Sequence, residues 1–421
     1  MLKKLTLSLF LIASTIIAQE TQNDLSSFVQ KATECYQNKN YPESAANFKK
    51  ALELAPNSQA IKYNLACAYS LSGNKEEALK LLNELVSSGG GLDAAQDPDF
   101  TAVRNTPEFN NILEKINKLK APIVNSTRAF VVKEKDLIPE GIASDKKTGR
   151  FFLSSLYKRK ILQINPDGSV KDFTNEAQDG LMAVVGMKAD PDKGILYAVS
   201  SHTNTMKNSD PKDQGRAGIF KYDISSGRLI KKYMAPGNNH FLNDLAYTKD
   251  GDVYVTDSQS PAVYLISKDT DSLKLYLDLS GYQYPNGIAL SDDGKYLFVA
   301  HSAGILKVDL ANKKYTPLTS EGNISLDFCD GMYFYKNTLI GVQNTNFNRI
   351  ARFYMDKSLN HVTKMDVLEA NNPDFIIPTT GTIMNGELYF IATSQLASFD
   401  ENGKIFPEDK LKDVLILKLK L

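Results

Sequence analysis

One short pattern recurs six times between residues 139 and 382 and restricts what this chain can fold into more than any other feature. It reads Pro139-Glu140-Gly141-Ile142-Ala143, Val184-Val185-Gly186-Met187 and Leu242-Asn243-Asp244-Leu245-Ala246 in its first three occurrences. It returns as Pro285-Asn286-Gly287-Ile288-Ala289, Cys329-Asp330-Gly331-Met332 and Thr379-Thr380-Gly381-Thr382. The key positions, 140, 185, 243, 286, 330 and 380, lie 45, 58, 43, 44 and 50 residues apart. Each copy opens a stretch of period-two apolar alternation rich in Val, Ile, Tyr and Phe. Several are followed by a tight turn such as Lys249-Asp250-Gly251 or Asp292-Asp293-Gly294 and a second strand. Repeats of this length built from hairpins are the blades of a propeller. The expectation is an all-β six-bladed β-propeller over 123–421. Arg128–Val132 and the final Val414–Leu421 are expected to pair and close the ring, so that no strand edge is left exposed.

The preceding part of the chain has a helical period. Ala32 and Ala66 stand 34 residues apart within matching sets of small and large apolar residues: Phe28, Ala32, Tyr36, Phe48 and Ala51, then Leu65, Ala66, Tyr69, Ala78, Leu82 and Leu85. That spacing resembles the tetratricopeptide repeat, which implies an α-helical module over 19–122, with the Pro107–Leu119 helix as a cap. Such a module is either a spacer that packs on the second domain or a docking surface for a protein partner. The first residues read as an export signal over 1–18: Lys3 and Lys4, an apolar run from Leu5 to Ile17, and small Ala18 before polar Gln19. The expected location is exported, periplasmic or secreted, with no membrane span after cleavage.

Lys plus Arg and Asp plus Glu both number 49, so net charge offers no argument for nucleic acid as a partner. The three cysteines, Cys35, Cys67 and Cys329, do not form a disulfide framework or a zinc spacing.

Strand starts in equivalent blades converge on the propeller axis. The six key residues are Glu140, Val185, Asn243, Asn286, Asp330 and Thr380, and five of them are polar. A buried ring of this kind is costly unless solvated or coordinated. Two carboxylates with amide oxygens, and neither thiolate nor imidazole, suit a hard divalent cation. Ca²⁺ is the first expectation, with Mg²⁺, Mn²⁺ or Zn²⁺ as alternatives. A second ring, 14 to 16 residues further on, holds Ser155, Ser201, Asp257, His301, Asn344 and Ser394. Antiparallel pairing should return these residues beside the first ring. The longest interval contains a polar insertion, Asn204–Gln214, expected to form a loop over the mouth.

Pro-Glu-Gly at 139–141, Asn-Asp at 243–244, Pro-Asn-Gly-Ile-Ala at 285–289 and Asp-Gly-Met at 330–332 resemble, in order, the motifs of the senescence marker protein (regucalcin)/gluconolactonase family. The resemblance covers about 300 residues. It extends more distantly to the paraoxonases and the strictosidine-synthase-like propellers. It implies that Glu140, Asn286 and Asp330 hold the metal and that Asn243 contacts metal-bound water or substrate. Two features depart from it. Phe241 stands where the family's gluconolactonases carry an Arg, and the chain has no Trp. The implied activity is metal-dependent hydrolysis of a small-molecule lactone or ester, with Asp330, Asn243 and His301 as the catalytic candidates. Asn243, Asp244, Asp257, His240 and His202 are the candidate substrate contacts. The rival reading is a non-catalytic propeller with a structural cation, joined to a helical-repeat scaffold.

Overall fold

The computed structural model describes residues 24–421, apart from 26, 56–57, 90–91, 323 and 345–347. The expected signal segment, 1–18, lies outside the described residues. The chain divides into two compact units. One comprises residues up to Ala121 with Gly322–Ser325, and the other Pro122–Glu321 with Leu326–Leu421.

In the first unit, residues 27–37 are helical, followed by helices Tyr41–Leu54, Gln59–Leu71 and Lys75–Ser88. The small residues Ala32, Ala45, Ala51 and Ala68 lie fully inside with Phe48 and Leu65, so neighbouring helices can approach closely. Gly89, at φ 95°, ends the third of these helices in the left-handed conformation that favours glycine. Two short 3₁₀ turns then lead to the Pro107–Lys120 helix, where the Thr106 side chain accepts the N–H of Phe109. No helix among the described residues is long and apolar enough to cross a membrane.

The second unit is a ring of six antiparallel sheets. Their innermost strands are Ile142–Asp145, Ala183–Asp190, Leu242–Tyr247, Ile288–Leu290, Cys329–Tyr335 and Gly381–Met384. The fifth blade gains a two-residue parallel strand, Thr319–Ser320, at its edge. Closure is as expected. Val414–Lys420 lies between Glu387–Ile391 and Thr127–Val132, so both ends of the domain share the sixth blade. The core is a set of apolar layers between blades. Val185, Val199 and Ile219 of the second blade meet Leu245, Val253 and Val255 of the third, and equivalent layers fill other gaps.

Side-chain bonds mark the order of blades around the axis. The hydroxyls of Thr379 and Thr380 donate to the Glu140 carbonyl, linking blades six and one. Ser201 donates to the Leu242 carbonyl and Thr256 to that of Asn286, linking blades two to three and three to four. Asn286 donates to Asp330 across blades four and five. The residue after each key position is Gly in five blades, because the ring is narrow. A Cβ on Gly141 would overlap the Val185 carbonyl, and one on Gly287 would sit 2.5 Å from the Asp330 carbonyl oxygen. The sixth of these positions holds Asp244.

Candidate metal centre

At the key positions the strand ladder breaks. Register shifts fall between Val184 and Met187, between Leu242 and Leu245, and between Cys329 and Met332. In the first, fourth and sixth blades the regular strand starts only after the key residue. Such bulges re-aim side chains. The freed backbone N–H groups find hydroxyls on the second strand instead. Ser154 Oγ accepts from the N–H groups of Glu140 and Gly141, and Thr256 Oγ1 accepts from that of Asp244. Ile138, Tyr284 and Phe328 each precede a proposed ligand, Glu140, Asn286 or Asp330, by two residues. All three hold left-handed backbone, at φ 48°, 56° and 53°. That conformation is costly for side chains of this kind and persists only where the surroundings impose it.

Glu140, Asn243 and Asp330 are buried. Asn286 Nδ2 donates to Asp330 Oδ1 at 2.9 Å, and Asn344 Nδ2 to Asp330 Oδ2 at 2.6 Å. The Asn243 amide donates to Ser258 Oγ at 3.0 Å. With the amide nitrogens committed, the oxygens are left over. Glu140 Oε2, Asn243 Oδ1, Asn286 Oδ1 and Asp244 Oδ2 are buried without a hydrogen-bond partner. Four such oxygens, from the first, third and fourth blades, would each cost about 1–3 kcal/mol if left alone. Oxygen donors of this type fit a hard divalent cation. The remaining lone pairs of Asp330 leave it free to join them.

Electrostatics point the same way. Burial, then the nearby Asp330 and Asp244 carboxylates, push the Glu140 carboxyl well above its ordinary range, with Lys188 opposing. Burial pushes Asp330 up to about 6, against the pull of the Asn286 and Asn344 amides. A cation would relieve both groups.

Beside these residues lies a cavity of about 70 Å³, lined by Asn286, Asp330, Asn344, His301, Tyr284 and Phe328. Tyr284 and Phe328 form an aromatic lip, 64% and 37% exposed. His301 Nδ1 accepts the N–H of Ala303, which leaves the ring proton on Nε2, and burial lowers its pKa to about 4. The imidazole is therefore a neutral donor.

The other candidates are placed differently. Asp257 is fully buried. Its Oδ1 accepts the N–H groups of Phe241, Gln259 and Ser260, and its Oδ2 faces His240 Nδ1 at 2.6 Å. His240 Nε2 faces the Pro236 carbonyl at 2.7 Å, so both ring nitrogens are engaged. This pair braces the loop ahead of Asn243. His202 and His240 line a separate pocket of about 470 Å³ with Asn204, Gln214, Asn238 and Phe241, formed in part by the 204–214 insertion. His202 Nε2 lies 2.9 Å from Ser209 Oγ. In the second ring, Asn344 reaches Asp330, whereas Ser155, Ser201 and Ser394 bond to backbone carbonyls. Lys188 and Ser154 were not among the expected residues. A lysine inside the apolar second-blade strand, Ala183–Asp190, was the available signal for the former.

Among the described residues, the one cluster of three His, Cys, Asp or Glu groups with ligand-like separation is Cys67, Asp97 and Asp99 in the helical unit. Tyr63 donates to Asp97 at 2.6 Å and Tyr36 to Asp99, so these carboxylates hold the turn that follows the repeats.

The family models that match the chain agree with this architecture. A tetratricopeptide-repeat model matches residues 36–102. A search of curated protein sequences finds no match. Similar solved structures include a gluconolactonase of Xanthomonas campestris, 15% identical with a TM-score of 0.47, covering 72% of this chain and 100% of that one. A virginiamycin B lyase of Staphylococcus aureus is 17% identical with a TM-score of 0.45, again covering 72% and 100%. A PQQ-bound aldose sugar dehydrogenase of Streptomyces coelicolor is 14% identical with a TM-score of 0.47, covering 71% and 99%. The model described as the SMP-30/gluconolactonase/LRE-like region matches residues 138–367, more than half of the chain, and the protein belongs to that family.

Proposed function

We propose that the propeller is a metal-dependent hydrolase of lactones or related carboxylic esters, working at the axial centre. The observation that carries this reading is the set of orphaned buried oxygens on Glu140, Asn243 and Asn286 at the strand starts, with Asn286 and Asp330 lining a small cavity that also holds a neutral histidine. Membership of a family that includes gluconolactonases supports it. Glu140, Asn286 and Asp330 would hold the cation, with Asn243 Oδ1 close by. When bound, the cation supplies Lewis-acid polarisation of the scissile carbonyl.

The chain's own groups do the rest. The Asn286 and Asn344 amides fix the Asp330 carboxylate on both oxygens. Held in this way and lining the cavity, the Asp330 carboxylate is placed to accept a proton from the attacking water. His301 Nε2–H is a donor for the oxygen on which negative charge develops. Tyr284 and Phe328 offer an apolar face, and Phe241 brings no positive charge beside Asn243. The preferred substrates are therefore lactones and esters with an apolar or aryl substituent rather than polyhydroxylated ones. The export signal would place the site where Ca²⁺ is plentiful, and the repeats would offer a protein partner a surface.

The test is a panel of aryl esters, alkyl lactones and sugar lactones, assayed after chelation and after restoring Ca²⁺, Mg²⁺, Mn²⁺ or Zn²⁺. Chelator-sensitive hydrolysis strongest on the aryl and alkyl members is expected. Cation binding without turnover on any member would leave a structural cation and overturn the hydrolase reading.

A further inference from the structure

Of the six residues that directly follow a key residue, Asp244 is the one that is not glycine, and it does not come alone. It is 1% exposed. Its Oδ1 accepts the N–H of Leu245 at 2.8 Å and the Lys188 ammonium at 2.9 Å, while Oδ2 has no partner. Lys188 belongs to the neighbouring blade, three residues after its key position. Its side chain is only 19% exposed, and its ammonium lies 5.6 Å from the centre of the Tyr333 ring. Room for the pair comes from Gly186, where a Cβ would stand 2.8 Å from Asp244 Cα and 3.0 Å from Oδ1. Tyr333 is held in turn, its hydroxyl accepting the N–H of Gly381 in the last blade. The ion pair is thus built into the ring by four blades, the second, third, fifth and sixth.

The charges acting on Glu140 are those of Asp330, Asp244 and Lys188. Three carboxylates against one ammonium leave two negative charges, the charge that one divalent ion balances. Without Lys188 the same shell would carry three and suit a trivalent ion. We infer that Lys188 is a specificity-determining residue of the metal centre, a fixed cation that sets its preference for divalent over trivalent ions. This inference rests on the proposed centre.

The experiment is titration calorimetry on the full chain with Ca²⁺ and, separately, Tb³⁺, scored as the ratio of the two affinities. Lys188→Met keeps the length of the side chain and its packing on Tyr333. It should raise the Tb³⁺ to Ca²⁺ ratio about tenfold or more, the effect of one unit charge within roughly 12 Å at an effective dielectric of about 20. Lys188→Arg, which keeps the charge, should leave the ratio within about threefold. The double variant Lys188→Met, Asp244→Asn restores the balance and should return the ratio to that of the parent. If Lys188→Met does not fold, Asp244→Asn alone reads the same quantity from the other side, with an expected fall of about tenfold. A ratio unmoved in Lys188→Met or in Asp244→Asn, with Ca²⁺ still bound, overturns the role of Lys188 and leaves the metal centre standing. A parent chain that binds neither ion overturns both.

Discussion

Asp330 combines the three properties that matter at the centre: burial, two fixed amide donors and a pKa raised to about 6. Asp330→Asn keeps the shape and removes the proton acceptor. Turnover on the best substrate should fall on the order of a hundredfold or more, with Ca²⁺ binding, followed by calorimetry, weakened but retained. The same residue would make cation binding depend on pH. Its carboxyl ordinarily titrates near 3.8, so between that value and about 6 the folded chain binds more protons than the unfolded one. Stability of the cation-free protein from this group, and from Glu140 with the same direction of shift, therefore falls as pH rises through that window. His301, lowered from 6.5 to about 4, contributes the opposite slope in the cation-free and loaded proteins alike. The informative quantity is the difference in melting temperature between loaded and chelated protein. It should grow from pH 5 to pH 7 and approach, at a hundredfold excess of Ca²⁺ over Kd, the equivalent of about 2.7 kcal/mol. A difference independent of pH would show that the cation does not engage these carboxylates.

Among the elements, the 204–214 insertion connects the end of strand Ile195–Ser201 to the start of Ala217–Asp223, at the same end of the ring as Asn243. The Lys207 N–H donates to the Tyr157 carbonyl, and Arg159 donates to the Lys207 carbonyl at 3.4 Å, so the loop is tied to the first blade. It adds walls to the pocket of about 470 Å³ but contributes only Met206 to a small apolar cluster with Met182 and Ala183. Replacing 204–214 by a short turn should change relative kcat/KM across the lactone and ester panel severalfold while lowering the melting temperature by only a few degrees. Unchanged ratios across the panel would remove the loop from substrate selection. At this scale the hairpins and repeats were legible in the chain because each blade repeats the same alternation and turn chemistry. The breaks in the ladder at the key residues were not, since each depends on which hydroxyl, Ser154 or Thr256, waits on the facing strand.

Over the whole molecule, the propeller holds together by closing on itself. Val414–Lys420 pairs on both sides and buries Val414, Ile416, Leu417 and Leu419. At about 1.5–3 kcal/mol for each buried apolar side chain, these four approach the entire margin of about 5–15 kcal/mol that stabilises a domain. Deleting 414–421 should abolish the propeller's cooperative thermal transition in circular dichroism and expose a strand edge that aggregates. An intact transition would mean that the ring does not depend on this closure. The six-fold motif, the strand alternation and the 34-residue helical spacing determined the architecture from the sequence alone, because period and turn chemistry are local properties. The key ring of Glu140, Asn243, Asn286 and Asp330 was legible for the same reason, each residue occupying one register of a repeat. Only the tertiary structure could decide the rest. The hairpin spacing of 14 residues already placed Asn344 beside Asp330, but it could not turn Asp257 and His240 toward each other or set Lys188 against Asp244. Those pairings depend on how a loop and a neighbouring blade approach, which packing around the axis fixes and no spacing along the chain encodes.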